Sequence, residues 1–444
     1  MALFYSEKAT KLAKKTQTRF PLQIQSLDYQ GLGVAKREGK TWFVENALPE
    51  ERVEVQVLEE KRQYGRAQAV KILQKSAHRQ TASCAYYGRC GGCQMQHIPL
   101  DMQRQAKQDA LFQRLQKLQA DPIDFQSMLV GESKAYRRRA KLSIALQKNQ
   151  LVVGFRQAAS QQIIPLEHCE VLEKALEVLL QPLQTLLASW QNKKALGHIE
   201  LVHADNGVAL LLRHLGKLTD KDETALRAFA EAHALNLFVM LGEDQIDLWA
   251  GAQPFYSLGD LRLHFSIRDF IQINRELNQK MVQTALNWLE LSPQDRVLDL
   301  FCGMGNFSLP LAQKAGFVVG VEGVAPMVEQ AQANAAFNQL ENVAFYQTNL
   351  DEPFHTQPWA REAFNKILLD PARNGAYFAL DHLCQLQPER IVYVSCNPAT
   401  LVRDAQKLIQ AGYKLEKSAM IDMFPQTGHL ESISLFLGRF LKVP

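Results

Sequence analysis

Two sets of thiols stand out in this sequence. The first is one cysteine, Cys396, in Ser395-Cys396-Asn397-Pro398. The apolar run Ile391-Val392-Tyr393-Val394 before it reads as a buried strand of a parallel sheet. Pro398 cannot continue a sheet ladder, so the chain turns there and presents Cys396 at the carboxyl end of the strand. Open α/β sheets hold their ligands at that end. A thiol there is a candidate nucleophile, and the plainer alternative is a small buried hydrophobe. The second set is Cys84-Ala-Tyr-Tyr-Gly-Arg-Cys90-Gly-Gly-Cys93. Three clustered thiols can wrap one inorganic centre, with Gly91 and Gly92 permitting tight turns. Cys169, in Glu167-His168-Cys169, is the natural fourth donor. Four thiolates of this spacing suit a [4Fe–4S] cluster; zinc, with His97 or His168 as a donor, is the rival.

A third motif surrounds a nucleoside. Residues 295–307, DRVLDLFCGMGNF, read as strand, glycine loop and helix start. A second strand, 318–322, ends in Glu322, 17 residues after Gly305. A carboxylate there accepts both ribose hydroxyls of a nucleoside cofactor. The loop lacks the G-x-G-x-x-G order of a dinucleotide site, which favours a cofactor without pyrophosphate, S-adenosylmethionine. Further strands are expected at 343–346 and 366–370. On this reading Asp299, Glu322, Asn349, Asp370 and Cys396 all sit just past strand ends and line one rim.

The elements in front are of another kind. Residues 1–17 are polar and basic and read as a flexible arm. From 19 to 74 the pattern is short and β-like: 22–27 alternates, Arg37-Glu38-Gly39-Lys40 reads as a hairpin turn, and 41–44, 53–57 and 67–72 read as strands. Five short strands suit a small oligonucleotide-binding barrel. Lys36, Arg37, Lys40, Lys61, Arg62 and Arg66 fall near its turns, and Tyr29, Trp42 and Tyr64 offer stacking faces, Trp42 being equally suited to the core. Residues 100–120 read as a helix capped by Asp101, burying Leu111, Phe112, Leu115 and Leu118. The run Arg137-Arg138-Arg139, beside a strand at 142–146, suits RNA phosphates or a solvated edge. Residues 125–265 mix strands and helices.

Composition agrees with such a partner. The net charge of +4 hides an asymmetry: residues 1–141 hold 25 Lys+Arg against 14 Asp+Glu, and the rest is acidic. A basic front end on an acidic body points to a polyanion. The 7 cysteines, odd in number and unevenly spaced, are no disulfide framework, which predicts a reducing cytoplasm. Apolar runs are too short for a membrane span, and the first residues carry charges where a secretory signal has its apolar core.

FIQIN (270–274), DLFCGMGNFSL (299–309), LLDPARNG (368–375), VSCNPATL (394–401) and HLESI (429–433) together resemble the RNA uracil-C5 methyltransferases. Residues 19–75 resemble a TRAM domain, a small RNA-binding barrel. The resemblance implies an α/β fold: a C-terminal class I, Rossmann-like methyltransferase domain at 266–444, an N-terminal TRAM/OB-like β-barrel at 16–75, and a central α+β iron–sulfur domain at 76–265. It makes Cys396 the nucleophile and Glu431 the base. It makes Gln272, Phe301, Asn306, Glu322, Asn349 and Asp370 the S-adenosylmethionine site, and Cys84, Cys90, Cys93 and Cys169 the ligands of a [4Fe–4S] cluster. Family members differ at the front, and this combination of barrel and cluster implies 23S rRNA as the partner, at uridine 1939; the alternatives are uridine 747 of 23S rRNA and tRNA uridine 54. A monomer without an obligatory protein partner is expected. Two rivals remain: an RNA-binding module with a dead methyltransferase fold, which would have lost Cys396 or Glu431, and a redox enzyme using the cluster, for which the radical CxxxCxxC spacing is missing.

Overall fold

The computed structural model describes residues 18–147, 150–242 and 245–438, so the basic arm 1–17 lies outside the described residues. The chain divides into two compact units. One comprises Met1–Gly88, Gly92–Leu115 and Phe424–Leu430; the other comprises Arg89–Gly91, Gln116–Met423 and Glu431–Pro444.

In the first unit a six-stranded sheet runs in the order Arg19–Gln23, Arg52–Glu60, Tyr64–Gln74, Lys40–Glu45, Gly33–Arg37, Ser26–Leu27. The hairpin turn falls where the sequence predicts it, with Glu38 and Gly39 both at positive φ, the primed geometry that matches strand twist. The alternating stretch 22–27 is two strands, not one. The Ile24 N–H bonds to the Glu51 carbonyl and the Gln25 N–H to the Val34 carbonyl, so the chain changes partner there. Leu22, Ile24, Val44, Val53, Val55 and Trp42 form the core. Trp42 is therefore no stacking face: it is 4% exposed, and a Cβ on Gly65 would lie 2.3 Å from its ring.

The helix is Leu100–Leu115, with Asp101 inside its first turn rather than capping it. Its buried positions are Gln103, Lys107, Leu111 and Leu115, not the all-apolar face expected. Loop carbonyls explain this. The Gln103 amide donates to the carbonyls of Met95 and Ile98, and Lys107 Nζ donates to the Phe424 carbonyl at 3.3 Å. Loop backbone without ladder partners draws polar side chains inward.

The second unit holds two large sheets. An eight-stranded sheet runs Val343–Gln347, Phe317–Glu322, Arg296–Leu300, Lys366–Leu369, Arg390–Ser395, Glu431–Gly438, Tyr413–Ile421, Asp124–Phe125. The first five strands are parallel, and Glu431–Gly438 enters antiparallel beside Arg390–Ser395. The order reverses between Arg296–Leu300 and Lys366–Leu369, and that switch point opens a crevice at the carboxyl ends. A seven-stranded sheet runs Ile163–Pro165, Gln150–Arg156, Arg139–Gln147, Leu196–Ala204, Gly207–His214, Asn236–Leu241, Ile246–Ala250. A hairpin, Phe255–Leu258 with Leu261–His264, follows it. No helix among the described residues is long and apolar enough to cross a membrane.

Two of the three residues of the Arg137–Arg139 run, Arg138 and Arg139, are turned to the protein and not to a phosphate-facing surface. Arg138 is 0% exposed, stacked over the Tyr256 ring, and its Nε donates to the Gln272 carbonyl at 2.8 Å. Arg139 pairs with Glu200 at 2.9 Å and donates to the carbonyls of Ile267 and Asp269. The run secures the loop that leads into Phe270–Asn274. Each guanidinium offers several donors in a fixed fork, which suits a loop of carbonyls without ladder partners.

Candidate active site

The strand Arg390–Ser395 delivers Cys396 one residue past its end, as its apolar run predicts. The antiparallel register does the rest. Ser395 pairs with Ser432, so Cys396 and Glu431 stand opposite each other just beyond the last rung. The turn after Cys396 is fixed: Asn397 caps Pro398–Gln410 by accepting from the Ala399 N–H, and its amide donates to the Arg373 carbonyl. Glu431 is 5% exposed and its Oε2 has no hydrogen-bond partner among the described residues. It is a buried carboxylate aimed into the site, not a surface hairpin residue.

Electrostatics at this end of the sheet are unusual. Burial, with the Asp370 charge nearby, pushes Glu431 up to about 8. Burial pushes Asp370 up to about 7. Burial, then the charges of Glu431 and Asp370, pushes Cys396 up to about 12, with Arg373 opposing. The thiol is therefore protonated at neutral pH, Asp370 is partly ionised there, and Glu431 becomes a proton acceptor as the pH approaches 8.

The glycine loop builds the neighbouring cradle. Phe301, a non-glycine residue, holds φ 64° through its N–H bond to the Val321 carbonyl. Gly305 is at φ 97°, and a Cβ there would lie 2.2 Å from Leu309. Glu322, the last residue of its strand, accepts from the Gly303 and Val324 N–H groups at 3.2 and 3.0 Å. The Asn306 amide is gripped from three sides. Its Oδ1 accepts from Tyr256 and Asn278, and its Nδ2 donates to Asn278 Oδ1. Gln272 is buried, and Asn349 is exposed with its amide on Glu352. Asp299 departs from the expected rim. It lies inside Arg296–Leu300, is 0% exposed and accepts from the Ser308 hydroxyl.

Sequence reading missed three supports. Asp404, 0% exposed, accepts from the Tyr393 hydroxyl and the Ala376 N–H, both at 2.7 Å, and pairs with Arg403. It clamps the loop after Asp370, where a Cβ on Gly375 would lie 2.4 Å from its carboxylate. An acid between Leu401, Ala405 and Leu408 on the apolar stripe of a helix was the available signal. Tyr256 and Asn278 left no such trace. Phe270 is 60% exposed beside buried Gln272, an aromatic face open to a base.

Cys84, Cys90, Cys93 and Cys169 are each half-buried, Cys84 and Cys93 belonging to one unit and Cys90 and Cys169 to the other. Gly91 passes close to the backbone of Arg156, which accepts its N–H at 3.1 Å. His97 is turned to the Tyr87 hydroxyl, and burial holds its ring down at about 4.

The fold and the rim define an α/β methyltransferase with a crevice for S-adenosylmethionine. The chain belongs to the tRNA (uracil-5-)-methyltransferase family, whose model matches residues 100–439. A TRAM domain matches residues 14–70. The chain is 62% identical to the 23S rRNA (uracil(1939)-C(5))-methyltransferase RlmD of Haemophilus ducreyi, over 98% of this chain and 100% of that protein. It is 57% identical to the RlmD of Haemophilus parainfluenzae, over 98% and 100%. The crystal structure of Pyrococcus abyssi tRNA (uracil-54, C5)-methyltransferase in complex with S-adenosyl-L-homocysteine shares the fold. The TM-score is 0.74 at 22% identity, covering 94% of this chain and 99% of that one.

Proposed function

We propose that this chain transfers the methyl group of S-adenosylmethionine to C5 of a uridine in 23S rRNA, at position 1939, acting in the cytoplasm as a monomer. The observation that carries the chemistry is the register that sets Cys396 across from Glu431. The substrate reading is supported by the full-length likeness to proteins so named. The tRNA alternative has the family model's name in its favour, but no full-length relative of comparable identity among those named above.

C5 of uracil is a weak nucleophile. Cys396 adds through Sγ to C6, and its proton passes to Asp370, whose charge it feels and which returns it when the thiolate leaves, so that Glu431 stays free for the later step. The electron pair of the C5–C6 bond moves into an enolate centred on C5. S-adenosylmethionine supplies an electrophilic methyl group, which C5 takes as the sulfonium S–CH3 bond breaks and S-adenosylhomocysteine is left. Glu431 then removes the remaining C5 proton, and the C6–Sγ bond breaks to restore the ring and Cys396. A covalent route divides one hard step into several easier ones. A carboxyl near 8 is a stronger base than one in water, and its ionised share rises as the pH approaches 8. Gln272, Phe301, Asn306, Glu322, Asn349 and Asp370 hold the cofactor. Phe270 offers a stacking face, and the target base must be single-stranded or flipped out to reach Cys396.

Cys84, Cys90, Cys93 and Cys169 are read as the donors of a [4Fe–4S] cluster with a structural role. Donor chemistry supports this: four thiols, with a glycine where a Cβ would lie 3.2 Å from the Arg156 carbonyl. Among the described residues no three His, Cys, Asp or Glu are gathered into a metal-holding group, so the donors carry the reading alone.

The test is to map 5-methyluridine in 23S rRNA and tRNA from cells with and without the gene. Loss of the mark at position 1939 with tRNA unchanged is expected. Loss of the tRNA mark instead overturns the substrate and leaves the chemistry standing.

A further inference from the structure

One face of the seven-stranded sheet carries a row of cations that the methyl-transfer chemistry does not use. His198 pairs with Ser143 and Arg213, and Arg213 pairs with Met240. Residues opposite one another in register share a face, so these side chains stand side by side. Lys141 pairs with Glu200, two residues from His198 and hence on that same face. Arg268, from the loop before Phe270, reaches in with Nη1 3.9 Å from the Met240 sulfur. Lys141, His198, Arg213, Met240 and Arg268 together line a cavity of about 170 Å³.

Its charges are only partly neutralised internally. Glu200 is the carboxylate of the row. Burial works to raise it, yet its bonds to His198 and Arg139 prevail and hold it down at about 2. It is paired with Arg139 at 2.9 Å and lies 3.4 Å from Lys141. Glu200 is shared by Arg139 and Lys141 and offsets one positive charge, so the space lined by Lys141, Arg213 and Arg268 keeps a cationic excess. Arg213 Nε is buried and has no hydrogen-bond partner among the described residues. A buried guanidinium N–H without an acceptor is costly, and an anionic oxygen in the cavity would satisfy it. The space has room for a phosphate group with bridging water, since a water occupies about 30 Å³. Met240, a flat apolar wall, suits the ribose edge beside such a phosphate.

Position gives the cavity its role. Arg268 precedes Gln272 by four residues, and the loop between them hangs from Arg139 and Arg138. We propose that this cavity is a phosphodiester subsite for the RNA strand flanking the target uridine, with Lys141 and Arg268 at its mouth and Arg213 within. The proposal rests on the reading of RNA as substrate. It also gives the central region a place for a phosphate, which the Arg137–Arg139 run does not supply.

The test uses the full chain and 23S rRNA lacking the mark. Lys141→Ala/Arg268→Ala is compared with wild type, and Arg213→Met with both. The exposed pair should raise KM for RNA roughly tenfold and leave kcat within about twofold. It should also flatten the slope of log binding constant against log salt, by roughly 0.7 for each phosphate no longer neutralised. Arg213→Met should move in the same direction, and the exposed pair decides the matter where Arg213→Met does not fold. Unchanged KM and salt slope in variants that still bind S-adenosylmethionine overturn the subsite. An equal loss of S-adenosylmethionine affinity also overturns it, because the cavity would then be supporting the cofactor loop. A wild-type enzyme that leaves 23S rRNA unmethylated sinks the RNA reading itself, a result distinct from either.

Discussion

Cys396 and the Cys84–Cys93 loop are both thiol sites, and they are built in opposite ways. Cys396 ends a buried strand, faces Glu431 across a fixed register, and is followed by a turn capped by Asn397. The cysteine loop has no strand or helix between Gln74 and Leu100 to set its geometry. One thiol is aligned by backbone ladders before any ligand arrives. The other set lies in irregular chain held by single backbone bonds, such as that of the Gly91 N–H to the Arg156 carbonyl. Reaction geometry belongs on rigid elements, while a structural centre can organise its own loop.

This contrast makes the two sites fail differently. Cys396→Ala should abolish methyl transfer and any covalent RNA adduct while leaving thermal stability and S-adenosylmethionine binding close to wild type. Cys169→Ser should instead lower iron content and stability, with residual activity tracking the folded fraction. Protein purified without oxygen should hold about four iron and four sulfide per chain; stoichiometric zinc without iron would contradict the cluster. If Cys169→Ser removed chemistry at full stability, the division between the sites would collapse.

A second comparison lies within the rim. Asp404 acts only by holding the loop after Asp370. Asp404→Ala leaves the buried Tyr393 hydroxyl without its acceptor and should cost about 2 kcal/mol of stability. It should also lower kcat more than it raises KM for S-adenosylmethionine, since Asp370 would lose its fixed place. Denaturant unfolding and steady-state kinetics check both parts.

How far the sequence carried depended on which interactions fix each residue. Cys396 and Glu322 were legible because an apolar run followed by Pro or Gly marks a strand end locally. Glu431 was not. Its strand is ordinary, and only pairing with Arg390–Ser395 aims it at the thiol, so the resemblance had to supply its role. The arginine run misled because charge along the chain says nothing about which carbonyls lie nearby. Arg138 and Arg139 serve a loop about 130 residues away in the sequence. Trp42 was undecided until Gly65 opposite it left room for its ring.

A smaller effect separates buried from catalytic carboxyls. Burial, with Asp370 and Glu322 adding to it, pushes Asp299 up to about 8. The native state therefore keeps this proton up to about pH 8, whereas the unfolded chain loses it near 4. Across that window the native state binds more protons, so stability falls as pH rises. Asp299→Asn removes this dependence, and its melting temperature should gain on wild type by more at pH 8.5 than at pH 5. An equal difference at both values would show that Asp299 is ionised when folded.

The central claim is that Cys396 adds to C6 of the ring and Glu431 closes the cycle. Glu431→Gln keeps the nucleophile and the cofactor cradle but loses the base. Incubated with S-adenosylmethionine and unmethylated 23S rRNA, it should accumulate a covalent RNA–protein species carrying the transferred methyl, seen as a retarded band in denaturing gels and by mass as a methylated uridine on Cys396. Cys396→Ala should give none. Normal turnover by Glu431→Gln without such a species, or an adduct formed by Cys396→Ala, would contradict the account.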